Sequence, residues 1–213
     1  MARHHLAVRI LGRVSGAGVA RGCGGCVGAE VTNAHTLAAT VATGKDDWQT
    51  PPAVLDALDA EFGFWLDAAS DRLGGFGAYL GPGSEFGEDG RAEWPAVPLH
   101  APPVAWLNSP YSRALGGLKV WHERAWEQSR RGWTVVVLCP PHMGRQWFQQ
   151  YGWRCDEMRI YKRRLAFIDP ATGKQVRGNT QDSGLFIYRP HVPEQGWPGG
   201  PRLSLIDVPT GAA

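Results

Sequence analysis

The sequence predicts an α/β fold with a mostly parallel sheet, and three observations carry that expectation. Two continuous apolar runs, 104–107 and 133–139, flank a stretch of helical periodicity; strand, helix, strand with uninterrupted apolar strands indicates a parallel sheet buried on both faces. The 213 residues, 43% hydrophobic and 20% charged, suit one domain of ordinary size with a substantial core. The 28 glycines and 16 prolines supply many turns, and no apolar run approaches the roughly 20 residues that span a bilayer. Membrane-spanning, collagen-like and coiled-coil chains are excluded. The 10 tryptophans are large flat rings that either pack a core or stack on flat ligands.

Residues 1–44 lack periodicity and read as a flexible arm, whose basic start has no sustained apolar region of the secretory kind. The folded domain is expected at 45–190. Thr50-Pro51-Pro52 reads as a helix start, with Thr50 as cap and proline in the first turn. Val54, Leu55, Leu58 and Phe62 follow at helical spacing, and Gly63 ends the helix. Residues 64–69 read as a buried strand. Residues 74–103, rich in Gly, Pro and acids, form a long loop of the kind compact domains keep for a use. Strand 104–107 runs straight into Asn108-Ser109-Pro110-Tyr111. A helix is expected over 112–131, with Leu115, Leu118, His122, Ala125 and Ser129 along one side. Strand 133–139 is closed by Pro140-Pro141, a helical turn covers 146–151, and 158–161, 165–168 and 185–188 are candidate strands. Trp106 and Trp133 are expected in the core. Residues 191–213 read as an irregular tail.

The net charge of +2 hides an uneven distribution. Residues 46–94 carry eleven acids against Arg72 and Arg91, whereas 113–164 carry eleven bases against four acids. A basic segment of this kind attracts phosphate; the alternative is solvated helix faces. Cys23 and Cys26 form a CGGC pair, but Cys139 and Cys155 are not a second one. A zinc site through Cys23 and Cys26 would need further ligands, with His4, His5 and His35 as candidates. Free thiols in a reducing cytoplasm are the expectation, and no metal is expected.

Ligands of open α/β sheets bind at the carboxyl ends of the strands, where Asp67 and Asn108 stand. The Asn-Ser-Pro-Tyr turn has a physical use if the substrate is the exocyclic amine of a base. That nitrogen's lone pair is delocalised into the ring, so it is a poor nucleophile. The Asn108 side-chain oxygen and the Ser109 carbonyl would hold both amino hydrogens and concentrate electron density on nitrogen. Pro110 keeps Ser109 extended, aiming its carbonyl outward. Tyr111 offers a flat face for an extruded base. Such a turn alone is also an ordinary turn, and Asp67 alone an ordinary strand-end carboxylate.

Several segments carry a resemblance in the same order along the chain. Asp47-Trp48-Gln49-Thr50-Pro51, Ala60-Glu61-Phe62-Gly63-Phe64, Leu66-Asp67-Ala68-Ala69 and Leu107 to Ser112 resemble the phage-type DNA N6-adenine methyltransferases. The strand from Val135 to Pro140, Trp147-Phe148 and Arg163-Arg164-Leu165-Ala166-Phe167 fit as well. The match spans roughly residues 46–188. It implies a Rossmann-like S-adenosylmethionine-dependent methyltransferase fold, a mostly parallel sheet flanked by helices. By that resemblance Trp48, Thr50, Pro51, Asp67 and Asn108 bind S-adenosylmethionine, and Asn108, Ser109, Pro110 and Tyr111 correspond to the (D/N)PPY catalytic motif. Ser109 stands where the family often has proline, and the usual glycine-rich loop is absent after Asp67. If sequence is read, either the 74–103 loop or the segment from His142 to Arg164 is expected to read it.

The expected function is therefore methyl transfer to N6 of adenine in double-stranded DNA, with base flipping, in the cytoplasm of a bacterial or phage-infected cell. Arg113, Arg145, Arg163 and Arg164 are the candidates for phosphate contacts. The rival readings are a methyltransferase acting on another planar amide or amine, and a catalytically silent DNA-binding module.

Overall fold

Alternation of side chains along one central strand sets the two cores of this protein. In the computed structural model, which describes residues 46–71, 74–97, 99–112, 116–176, 179–190 and 199–212, that strand is β4 (Thr134–Cys139). Successive strand residues face opposite sides, so Val135, Val137 and Cys139 enter one core and Val136 and Leu138 the other. The first core is completed by Leu118, Trp121 and Ala125 of α2 (Gly117–Ser129) and by Trp147 and Phe148 of α3 (Gln146–Gln150). The second receives Val54 and Leu58 of α1 (Pro52–Phe62), with Leu165 and Phe167.

The α/β expectation holds: seven strands form one sheet with three helices around it. The other strands are β1 (Leu66–Asp67), β2 (Ala78–Tyr79), β3 (Val104–Leu107), β5 (Glu157–Tyr161), β6 (Gly184–Tyr188) and β7 (Arg202–Ile206). Their order across the sheet is β2-β1-β3-β4-β6-β5-β7. The sheet is mixed: β6 is antiparallel to both β4 and β5, and the remaining pairs are parallel. β3 pairs with β4 from Val104↔Thr134 to Leu107↔Val137, and so delivers the Asn108 turn beside the end of β4.

Five elements differ from the sequence expectation. The first helix is capped by the backbone of Pro51, with no side-chain cap; the Thr50 hydroxyl is buried and makes no hydrogen bond among the described residues. α2 begins at Gly117 rather than near Ser112, because Gly116 and Gly117 hold φ at 88° and 61°, outside the right-handed helical range. The 74–103 loop contributes β2, and the tail expected to be irregular contributes β7, parallel to β5 from Glu157↔Arg202 to Tyr161↔Ile206. Residues 165–168 do not join the sheet. Ile168 instead makes an isolated bridge to Gln49, with two N–H···O=C bonds of 2.9 Å.

The tryptophans are mostly structural. Trp106 and Trp133 are buried as expected, and Trp133 packs against Trp65 and Trp94 with centroids 5.9 and 5.7 Å away. Trp147 is buried and Trp153 about half exposed. His122 is fully buried, its ring 4.4 Å from that of Trp147, with Nδ1 2.6 Å from the Tyr188 hydroxyl and Nε2 3.2 Å from Cys139 Sγ. Burial pushes its pKa down to about 3, so the imidazole is neutral. Cys139 and Cys155 are free and buried. Among the described residues there is no group of three or more potential metal ligands, and no helix long and apolar enough to cross a membrane. Cys23, Cys26, His4, His5, His35 and the 1–44 arm lie outside the described residues.

Candidate active site

The ends of three neighbouring strands meet around Asn108. It leaves the fully buried β3, with β1 on one side and β4 on the other. Its Nδ2 donates to the Trp48 carbonyl at 3.3 Å, and its Oδ1 accepts from the Tyr111 hydroxyl at 3.2 Å. The Trp48 carbonyl can only accept, which fixes the amide's orientation and turns its oxygen toward Tyr111. The same hydroxyl lies 3.3 Å from the Leu138 carbonyl on β4. Asp46 clamps the turn from outside, its Oδ1 accepting from the backbone N–H groups of Tyr111 at 3.0 Å and Ser112 at 3.1 Å. Burial holds the Tyr111 pKa well above its ordinary value, so the phenol stays neutral.

Two cavities open on either side of this turn. The larger, about 980 Å³, is bounded by Trp48, Thr50 and Pro52 from the start of α1, by Asp67, Ala69 and Ser70 after β1, and by Gly90 and Arg91 of the long loop. The smaller, about 250 Å³, is lined by Ser109, Tyr111, Pro140, Phe167 and residues 179–183. Asp46, Trp48 and Asn108 belong to both walls. The larger lies at the upper end of the range for small-molecule sites, roughly 300–1,000 Å³; the smaller has room for one planar ring system. Among the described residues a buried hydroxyl makes no hydrogen bond beside each: Thr50 Oγ1 at the larger cavity and Ser109 Oγ at the smaller. Orphaned buried hydroxyls are costly; both belong to residues that line a cavity a polar ligand could enter. Burial pushes the Asp67 carboxyl up to about 6, against the pull of the Ala69 N–H donating at 3.2 Å.

A family model described as DNA N-6-adenine-methyltransferase (Dam) matches residues 38–205. The chain belongs to this family. A DNA N-6-adenine-methyltransferase of Escherichia phage T1 is 28% identical over 163 residues, covering 68% of this chain and 63% of that relative. The chain thus spans somewhat less than two thirds of its relative's length. No solved structure matches it.

The structure brings most of the sequence-predicted residues of this Dam-family chain together, with some reassignment. Trp48, Thr50, Asp67 and Asn108 all line the larger cavity. Pro51 does not; its carbonyl accepts the N–H groups of Val54 and Leu55 inside the first helical turn, and Pro52 takes its place on the wall. Within the turn, Ser109 and Tyr111 face the smaller cavity and Pro110 the larger. Arg145 and Arg163 are exposed and line neither cavity. Arg164 Nε lies 3.6 Å from the carboxylate of Asp182, a residue of the smaller cavity's wall. Arg113 lies outside the described residues. Much of the basic excess in 113–164 is matched locally: Arg159 binds Glu61 and Glu157 at 2.7 Å, and Arg124 binds Glu127 at 2.9 Å.

Sequence reasoning missed three groups here. Gly81 and Gly90 press the long loop onto the end of β1; a Cβ would stand 1.6 Å from the Ser70 carbonyl oxygen at Gly81 and 1.7 Å from that of Ala68 at Gly90. Arg91 lines the larger cavity, and residues 179–183 wall the smaller. The glycine density of the 74–103 loop was the available signal for the first group. The last group depends on a chain reversal that leaves no mark on local periodicity.

Proposed function

We propose that this chain transfers a methyl group from S-adenosylmethionine to N6 of an adenine flipped out of double-stranded DNA. The observation that carries the reading is the shared wall: Asn108 borders both a cofactor-sized and a base-sized cavity. In-line transfer needs the donor methyl and the acceptor nitrogen to meet at one point, and Asn108 stands where the two walls meet. The mixed sheet, with its reversed β6, fits a Rossmann-like methyltransferase arrangement.

S-adenosylmethionine supplies, when bound, an electrophilic methyl group on a sulfonium sulfur. Thr50, Asp67 and the Trp48 ring would hold it in the larger cavity. The chain's own work is done at the amine. Asn108 Oδ1 has a second lone pair beside the one used by Tyr111, and with the Ser109 carbonyl it accepts the two amino hydrogens. That draws the nitrogen out of conjugation and aims it at the larger cavity; placement of this kind supplies much of the rate. Tyr111, pinned through its hydroxyl, presents its ring to the base. Neither Asn108 nor neutral Tyr111 is a base; the methylated nitrogen is acidic enough to lose its extra proton to water at the exposed mouth. Exposed Arg145, Arg163 and Arg164, with Arg113, are read as phosphate contacts that position the duplex.

The test is transfer of labelled methyl from S-adenosylmethionine to unmethylated DNA, followed by nucleoside analysis. Label in N6-methyladenine is the expected result. Label in another nucleoside, or in none while the cofactor binds, overturns the substrate assignment; absence of cofactor binding favours the silent DNA-binding module.

A further inference from the structure

We propose that Arg91 holds the carboxylate of the cofactor's amino-acid end, oriented for that task by Asp89. The proposal rests on the reading of the larger cavity as the S-adenosylmethionine site and says how that site is polarised. Among the described residues seven carboxylates line the cavity, from Asp46 and Asp47 to Glu88 and Asp89, and Arg91 is the one cationic side chain on the described wall. A ligand ending in an ammonium and a carboxylate meets an uneven field there. Carboxylates on the described wall favour the ammonium, and the Arg91 guanidinium is the group there that attracts the carboxylate.

Arg91 is also built into place. Gly90 packs its backbone against the carbonyl of Ala68, so Arg91 is pinned beside the end of β1, near Asp67 and Ala69 of the same cavity. The Arg91 carbonyl accepts from Arg124 Nη2 at 2.6 Å and Nε at 3.0 Å, which ties the loop to α2. Asp89 takes the backbone N–H of Arg91 at 2.8 Å, its Nε at 2.8 Å and its Nη2 at 2.8 Å. Backbone and side chain are therefore oriented before a ligand arrives. A guanidinium is always charged and carries five N–H donors, more than the Nε and Nη2 contacts to Asp89 use. This arrangement supplies what a glycine-rich loop after the first strand supplies elsewhere: a close backbone approach at Gly81 and Gly90, joined to an anion-binding group. As a mere ion pair, half-exposed Asp89–Arg91 would contribute little.

Titration calorimetry with two ligands separates this role from a structural one. S-adenosylhomocysteine and 5′-methylthioadenosine share the adenosine and thioether, and only the first carries the amino-acid end. For the full chain, Arg91→Gln is expected to weaken S-adenosylhomocysteine by about 10–100-fold and leave 5′-methylthioadenosine unchanged, which also shows that the variant is folded. Arg91→Lys, keeping charge without the fork, should fall between wild type and Gln. Equal losses for both ligands, or no loss for either, overturn the assignment. Failure of the wild-type chain to bind either ligand defeats the cofactor reading itself, and this proposal with it.

Discussion

Replacing Tyr111 by Phe removes one oxygen and keeps the ring, so it separates two things the residue is asked to do. The hydroxyl has a single hydrogen, shared between Asn108 Oδ1 at 3.2 Å and the Leu138 carbonyl at 3.3 Å. Both distances are at the long end for a hydroxyl donor, so the loss amounts to one net hydrogen bond, about 1 kcal/mol of stability. The effect on turnover comes through Asn108, whose amide then keeps, among the described residues, its 3.3 Å bond to the Trp48 carbonyl and can swing. A loosened acceptor costs roughly tenfold in kcat if about 1.4 kcal/mol of positioning is lost. Tyr111→Ala also removes the stacking face, worth about 1–3 kcal/mol per base, and should weaken DNA-dependent steps by a further 10–100-fold. The assay is single-turnover methyl transfer with cofactor binding measured in parallel, which should not change in either variant. Wild-type turnover in Tyr111→Phe would refute the idea that the hydroxyl positions Asn108. Equal defects in the Phe and Ala variants would refute the stacking role.

Four further outcomes are expected. Asn108→Ala should abolish methyl transfer and leave S-adenosylmethionine affinity largely intact; retained transfer removes Asn108 from its role. Replacing exposed Arg163 and Arg164 by Ala should reduce the slope of log affinity for DNA against log salt by about 2, one contact each; an unaltered slope takes both out of the interface. Gly90→Ala places a Cβ 1.7 Å from a backbone oxygen that no side-chain rotation relieves, so cofactor affinity and melting temperature should both fall, whereas Gly144→Ala, with nothing within 4 Å, should be silent. Buried His122 takes no proton in the folded chain until its pKa of about 3, whereas the unfolded chain takes one near 6.5. Acidification therefore favours unfolding progressively below about 6.5, by about 2 kcal/mol at pH 5. Urea titrations at pH 7.5 and 5 should show that loss in wild type beyond any in His122→Gln; parallel losses would refute it.

The parts of the fold visible in the sequence are those whose burial is two-sided. β3 and β4 are buried on both faces, so their apolar runs are continuous and mark the sheet centre directly. The turn after β3 was legible for the same reason: a polar tetrapeptide at the end of an apolar run stands out. β2 has two residues, too few for any periodicity. β7 exposes Leu203 and Leu205 at the sheet edge, among prolines and glycines that read as irregular chain. The Leu165–Ile168 stretch resembled a strand because Leu165 and Phe167 are both buried; their partners belong to the second core, not to a sheet neighbour. Thr50 looked like a cap by position, yet Pro51 takes that place and leaves the Thr50 hydroxyl buried, with no hydrogen bond among the described residues. Arg91 and the 179–183 wall depend on contacts between segments far apart in the chain, which local patterns do not encode.

The wall made by Asp46, Trp48 and Asn108 has a consequence for the order in which ligands are held. Each of these residues belongs to both cavities, so a ligand that immobilises them on one side leaves less to be ordered by a ligand on the other. Affinities coupled in this way are reciprocal: on the proposed assignment, whatever the cofactor does for the grip on the base, the base must do for the grip on the cofactor. The two sites then behave as one bipartite receptor. On the proposed assignment, whatever loosens that common wall weakens the hold on both ligands together.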